Sequence, residues 1–320
     1  MDTNLVAESA TEGMGTVIMH KVFGVGAGDA LRVAQGETAR LEGMLSRFIE
    51  DSEIARINRS AGIAPEKVSG DTYAVLSRAV EFSRRSAGRF DVTVGPLVKV
   101  WNVYGGVSSP PEDKRIAEAK ALVDYTDIGL DSCAKTVMLR RAGQLIDLGG
   151  IGKGFAADVV LEHLREYGID SAFTNFGGNV AALGTKPDGS PWRVGIRHPR
   201  QEGGLVGAVS AANRSVVTSG DYMRYFMDES GRRYHHILDP RTGYPADSGL
   251  ASVTVVAEGS LDADALSTIL FVVGMDEGLA ILRQFPGAEA IFIDHSGLVS
   301  ITGGLGESFE PAPGVTLKRI

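Results

Sequence analysis

Ile146-Asp147-Leu148-Gly149-Gly150-Ile151-Gly152-Lys153-Gly154-Phe155 is the stretch from which the rest of the chain can be read. An apolar run ending near Asp147 meets a glycine cluster and a lysine. A helical pattern follows, with Phe155, Ala156, Val159, Val160 and Leu164 on one stripe. Glycine lets a backbone approach a ligand closely. A helix start offers N–H groups and the positive end of a dipole, which suits phosphate. Lys153 adds a full charge. The segment reads as a site for a phosphorylated ligand, with a tight strand-to-helix turn and a surface lysine as the alternative. It is neither common phosphate loop. A Walker A loop needs glycine at 147 and serine or threonine at 154, where the chain has Asp147 and Gly154; a dinucleotide fingerprint needs glycine at 155, where it has Phe155.

Outward from this point the chain alternates short apolar runs with turns. A strand is expected over 16–22, helices over 29–50, 52–58 (capped by Ser52), 71–87 (capped by Asp71) and 112–123, and a loop over 105–111. Residues 137–139 and 144–148 read as a hairpin, with a helix from 155 to 167. Strands are expected at 172–176, 180–183, 192–196, 205–209, 215–218, 222–227, 233–238 and 250–257. Helices follow at 261–273 and 276–285, and the hairpin 288–294/298–301 comes last. Long helices beside mostly antiparallel runs indicate an α+β fold. The 320 residues allow one large domain of two lobes over 14–320, with 1–13 as a disordered or extended segment.

Composition narrows the function. A net charge of −8, with no basic run interleaved by aromatics, argues against nucleic acid as the main partner. Cys133 is the single cysteine, so neither an intrachain disulfide nor a cysteine-based metal site can form. No apolar stretch is long enough to span a bilayer. Residues 1–13 lack the basic and apolar segments of a signal peptide. A cytoplasmic location is expected as the sequence stands, and a periplasmic one if an export signal was removed.

Two further constellations carry chemistry. In Asp262-Ala263-Asp264-Ala265-Leu266-Ser267-Thr268, a helix puts Asp264 and Thr268 on one face. A carboxylate and a hydroxyl there suit a hard cation; the alternative is an acidic first turn of a helix. In Tyr234-His235-His236-Ile237-Leu238-Asp239, a strand points the two histidines to opposite faces. One of them could serve as a general base near neutral pH, and two surface histidines are the alternative.

The order of the pieces says more than any one of them. MGT (14–16), LSRF (45–48), GRFDVTVGPLVKVW (88–101), IDLGGIGKGFAAD (146–158), FTNFGGN (173–179), PWRVGI (191–196), TSGDY (218–222), HHILDPRTGYP (235–245) and SVTVVAEGSLDADALST (252–268) occur in turn. Together they resemble the FAD:protein FMN transferases, the ApbE-type flavin transferases, from about Met14 to Ile301. The resemblance implies a two-lobed α+β fold with a T-fold-like core of mostly antiparallel sheet. It implies transfer of FMN from FAD to a threonine hydroxyl of a target flavoprotein, with Mg²⁺ as cofactor and Mn²⁺ or Ca²⁺ as alternatives. Some relatives instead hydrolyse FAD to FMN and AMP, and a non-catalytic FAD-binding protein is a third reading.

Carried onto this chain, the resemblance implies that Met14, Phe48, Arg89, Phe90, Asp91, Asp147, Lys153, Ser219, Gly220 and the Leu238 backbone bind FAD. Lys153 also supports catalysis. The Gly150 carbonyl, Asp264, Ser267 and Thr268 surround the metal. His236 is the base on the acceptor hydroxyl, and His235 is its outward neighbour. The implied partner is a protein bearing a threonine flavinylation motif, such as an FMN-binding domain or redox-complex subunit. The chain departs from the family pattern at Asn179, where an aspartate is usual, and at Asn102, where a glycine is usual.

Overall fold

The computed structural model describes residues 5–105 and 109–320. The 105–111 loop therefore lies partly outside the described residues. Strands β1 (Val6–Gly13) and β2 (Thr16–Phe23) form a hairpin through Met14 and Gly15, both at positive φ. Helices α1 (Ala27–Leu45), α2 (Glu53–Arg59), α3 (Gly70–Arg85), α4 (Gly95–Trp101) and α5 (Asp113–Lys120) follow, with β3 (Glu66–Lys67) between α2 and α3. Next come β4 (Ile128–Asp131), β5 (Thr136–Leu139), α6 (Gly152–Glu166), β6 (Ser171–Phe176), β7 (Asn179–Leu183), β8 (Trp192–Arg197), β9 (Leu205–Ala211) and β10 (Ser215–Gly220). The chain continues through β11 (Tyr225–Met227), β12 (Arg233–His235), β13 (Leu250–Ala257), α7 (Ser260–Val273), α8 (Met275–Leu282), β14 (Glu289–Asp294), β15 (Val299–Ile301), β16 (Phe309–Pro311) and β17 (Leu317–Arg319).

Among the described residues, nine strands form one sheet in the order β1-β2-β6-β7-β10-β13-β14-β15-β17. All its pairings are antiparallel except β15 with β17. Alternation along each strand separates two cores. Val217, Val253 and Val255 face α1, α6 and α7, while Val216, Val256, Ile291 and Ile293 face β8 and β9. Strand β13 lies between these cores and is buried at every position, which is why its sequence reads as an unbroken apolar run. The α+β, mostly antiparallel fold expected from the sequence is the one observed.

Several local expectations change. Ser69 caps α3, its Oγ accepting from Thr72 N at 3.2 Å. Asp71 instead sits in the first turn and pairs with Arg40 at 2.8 Å. The 137–139/144–148 hairpin does not form, and β5 pairs with β3 and β4. Partners other than a hairpin strand satisfy the backbone of 144–148: Asn58 accepts from Ile146 N at 2.6 Å and donates to Ile146 O at 3.0 Å, and Leu145 O accepts from Gly95 N at 3.1 Å. Helix α1 stops at Leu45, so Phe48 leaves the helical stripe and is 78% exposed. Helix α6 starts at Gly152, three residues before its apolar stripe becomes legible. Cys133 is exposed. Among the described residues no helix is long and apolar enough to cross a membrane.

His20 lies in the core between Thr38 and Thr174, its ring nitrogens 3.2 and 2.8 Å from their hydroxyls. Burial lowers its pKa to about 4. A histidine whose folded pKa is depressed contributes stability above its unfolded pKa, and that contribution is lost as pH falls toward 4. The stability difference between wild type and His20→Gln should therefore shift against wild type by about 2–3 kcal/mol between pH 7.5 and pH 4.5. Chemical denaturation at the two pH values measures this, and a constant difference would count against the buried neutral ring.

Candidate active site

The glycine-rich turn is held from both sides. Asp147 N donates to Val92 O at 2.8 Å, and Asp147 Oδ1 accepts from Gly149 N at 2.8 Å. Asp147 Oδ2 pairs with Arg47 Nε at 2.6 Å, and the Arg47 guanidinium lies 4.3 Å from the centre of the exposed Phe48 ring. Lys153, in the first turn of α6, donates from Nζ to Gly149 O at 3.1 Å. The backbone N–H groups expected to be open to phosphate are partly engaged. Gly152 N donates to Leu148 O at 2.8 Å and Gly154 N to Asp264 Oδ2 at 2.9 Å. The helix start is thus used to hold a carboxylate of the protein itself, while Lys153 and Arg47 bring positive charge to this turn.

Helix α7 brings the oxygen ligands. Asp264 and Thr268 lie on one face, as their spacing requires. Ser267 Oγ donates to Asp264 O at 2.9 Å and lies 2.8 Å from Ser219 Oγ of β10; Thr268 Oγ1 is 3.4 Å from the same Ser219 oxygen. Gly150 belongs to this cluster. A Cβ there would come within 3.2 Å of Thr268 Oγ1 and 3.1 Å of the Phe90 ring. Gly154 has a tighter constraint, since a Cβ would collide with the Ser260 carbonyl and reach 2.7 Å from Asp264 Cβ. Asp264 is only 3% exposed, and among the described residues no lysine or arginine forms an ion pair with it. A buried carboxylate among hydroxyls and a nearby carbonyl, without a cationic side chain, fits a hard divalent ion. The set holds one carboxylate and no cluster of three His, Cys, Asp or Glu residues among those described.

The β11–β12 hairpin supplies the histidines. His235 is not an outward neighbour. It is buried, with Nε2 3.0 Å from Ala246 O and its ring edge-on to Phe271 at 5.4 Å. The reason is register: β12 ends at His235, and this side chain faces α7. His236 lies just beyond the strand, where its backbone N donates to Arg224 O at 3.1 Å and its Nδ1 is 3.2 Å from the same oxygen. A carbonyl at Nδ1 implies a proton there, which makes Nε2 the acceptor nitrogen. Burial, then the neighbouring His235, lowers the pKa of His236 to about 3, and Lys153 acts in the same direction. The ring is neutral at pH 7.

The other expected site residues are placed differently. Met14 N donates to Glu42 Oε1 at 2.7 Å in the β1–β2 turn, and Arg224 donates to the next carbonyl, Gly15 O, at 2.5 Å. Phe90 is buried against Phe82. Arg89 pairs with Glu277 of α8 at 2.8 Å. The Asp91 carboxylate accepts from Thr93 N, Thr93 Oγ1 and Tyr125 N, so it braces a loop inside the protein. Burial raises its pKa. Gly220 follows Ser219 at the end of β10, and Leu238 is buried where it bridges to Pro245. The structure thus gathers Asp147, Gly150, Lys153, Ser219, Asp264, Ser267 and Thr268 around the α6–α7 contact, with His236 close enough to Lys153 to feel its charge. Sequence reasoning passed over Arg47 and Arg224. Arg47 stood inside the quoted LSRF, but Arg224 has no local signal because its partners are 209 and 12 residues away.

Fold and site together define a class: a mostly antiparallel α+β protein with a buried carboxylate and hydroxyls beside a lysine-bearing glycine turn. The ApbE family profile matches residues 14–292, and the chain belongs to that family. It is 40% identical over 280 residues to a FAD:protein FMN transferase of Treponema pallidum, covering 82% of this chain and 76% of that protein. It is 37% identical over 294 residues to one from Klebsiella pneumoniae, covering 92% and 90%. Among solved structures, an ApbE protein of Thermotoga maritima superposes with a TM-score of 0.86 at 31% identity, covering 93% and 97%. The apo flavinyl transferase ApbE of Pseudomonas stutzeri gives 0.84 at 30%, covering 96% and 98%.

Removing the Asp264 carboxylate should take away the charge on which a cation depends. Asp264→Ala is expected to weaken Mg²⁺ binding by at least about ten-fold in titration calorimetry, with the fold retained by circular dichroism. Unchanged affinity in a folded variant would remove Asp264 from the metal set.

Proposed function

We propose that this chain transfers FMN from FAD to the threonine hydroxyl of an acceptor protein, forming a phosphoester and releasing AMP, with a divalent cation held by Gly150 O, Asp264, Ser267 and Thr268. The observation that carries the reading is the conjunction of a buried, cation-ready Asp264 with Lys153 and a neutral His236 around one glycine turn. The names of the relatives agree with it. The reading takes residues 14–320 as one catalytic unit.

In this reading the threonine Oγ attacks the FMN phosphorus. The P–O bond to the AMP phosphate breaks, and AMP carries the electron pair away. His236 Nε2 takes the hydroxyl proton. Lys153 offsets charge on the phosphate oxygens, where each fixed cation counts most in the transition state. A divalent cation held by Gly150 O, Asp264, Ser267 and Thr268 would supply Lewis-acid neutralisation of the pyrophosphate when bound. Mg²⁺ suits the oxygen set, which also admits Mn²⁺ or Ca²⁺. The low pKa of His236 makes it a weak base in the free protein, and an anion bound beside it would raise that pKa toward the useful range. Phe48, exposed beside Arg47, and the Met14 turn would form the rim on which the flavin rests.

Incubation with FAD, Mg²⁺ and a threonine-bearing acceptor domain tests the reading by intact mass and nucleotide analysis. Transfer adds one FMN unit to the acceptor and releases AMP; free FMN with an unlabelled acceptor would indicate a pyrophosphatase instead. His236→Ala should lower transfer by about 10²–10⁴-fold while FAD still binds. His235→Ala should instead lower stability, because it opens a cavity against Phe271. Equal transfer by wild type and His236→Ala would exclude His236 as the base.

A further inference from the structure

The second face of the large sheet is only partly covered. Strands β8 and β9 pack over Val216, Val256 and Ile291. Trp192 of β8 reaches Phe23 of β2 and Phe173 of β6, and the other end of β2, at Val17 and Met19, is left exposed. The register aligns Met19 with Asn175, Asn175 with Val180, and Val180 with Val216, in one row across four strands. This row runs from exposed Met19 into a cavity of about 280 Å³ between the sheet and β8. Met223 lines the cavity, Met19 stands cross-strand from Asn175 of its lining, and Val17 lies two residues before Met19 on the same strand face; they are 45%, 43% and 53% exposed. Three large apolar side chains left exposed together around one groove are the mark of a protein-binding surface.

The charge of the groove is unlike that of the rest of the molecule. The chain carries a net −8, yet among the described residues lining the cavity the charged ones are Arg193 and Arg197, with no carboxylate. Arg193 is paired with Glu310 at 2.6 Å. Arg197 is exposed and, among the described residues, has no ion-pair partner. A polar contact from an acidic partner would complete it.

The groove also leads to the proposed base. Its lining includes Gly177, Gly178, Tyr222 and Met223. Met223 precedes Arg224, whose carbonyl holds His236 and whose guanidinium holds the Gly15 carbonyl. Gly177 touches the same turn, since a Cβ there would strike the Thr16 side chain. Successive residues of β10 look both ways: Thr218 lines the groove and Ser219 bonds Ser267 of the oxygen set. Groove and site are therefore opposite faces of one sheet end, separated by the 14–16 and 222–224 turns.

We propose that this groove docks the acceptor protein, taking an extended, acidic segment that flanks the acceptor threonine, with its carboxylate on Arg197 and its apolar side chains on Val17, Met19 and Met223. The proposal rests on the transfer reading above. A segment bound there passes over the 222–224 turn and presents a hydroxyl to His236, while FAD occupies the α6–α7 side.

The test uses the full chain and a recombinant FMN-accepting domain with one acceptor threonine and a neighbouring glutamate. Arg197→Glu should raise the KM for this domain by about ten-fold or more, with kcat and FAD affinity unchanged. Replacing the acceptor glutamate by lysine should restore the KM of the Arg197→Glu enzyme and worsen that of wild type. Met19→Asp should raise the same KM. Unaltered acceptor KM in both enzyme variants, with wild type labelling the domain, would overturn the groove while leaving the transfer reading intact. A wild-type enzyme that cleaves FAD but labels no acceptor would remove the transfer reading, and the docking proposal with it.

Discussion

The contact between α6 and α7 is the constraint on which the site depends. Gly154 N donates to Asp264 Oδ2, and the helices approach so closely that residue 154 has no room for a Cβ. A second tie lies one turn further along α6. Asp158 accepts from Ser260 N at 2.7 Å and Leu261 N at 2.8 Å, capping α7 from outside because Gly259 has no side chain to do so. Burial raises the Asp158 pKa to about 6. That is the cost of placing a carboxylate between two helices, and its two N–H partners offset part of it. Together these bonds set how far α7 slides along α6. They also set where Asp264, Ser267 and Thr268 stand relative to Lys153.

The glycines around this contact have different duties. Gly154 permits helix approach, Gly150 brings backbone against Thr268, and Gly149 donates its N–H to Asp147. None of the three needs a positive φ, so here small size matters more than backbone freedom. The large sheet adds a different device. Because neighbouring residues on a strand face opposite sides, β10 can build an oxygen site with Ser219 and a groove with Thr218 one residue apart.

Some of this was legible in residue order. The i, i+4 spacing of Asp264 and Thr268 placed both on one face without any tertiary information, and the run IDLGGIGKGF announced a glycine turn entering a helix. The local departures arise where a group's partner, near or far along the chain, is not legible from residue type. Asp71 looked like a cap because Ser69 draws attention only once its contact with Thr72 is seen. Residues 144–148 looked like a strand because their alternation gives no hint that Asn58, 88 residues away, takes both backbone groups of Ile146. Asp91 gives no local sign that Thr93 and Tyr125 donate to its oxygens.

The sequence by itself determined most strands of the sheet, though not β1 or β17, together with the α+β class and the family. These follow from periodicity, residue type and ordered motifs, all of which are local. Tertiary structure alone decided which histidine is buried against Phe271, that the α6 N-terminus serves Asp264, and that a basic groove lies through the sheet from the site. Those outcomes depend on strand register and helix approach. A one-residue shift in either moves a side chain to the other face, and no short stretch of sequence encodes that shift.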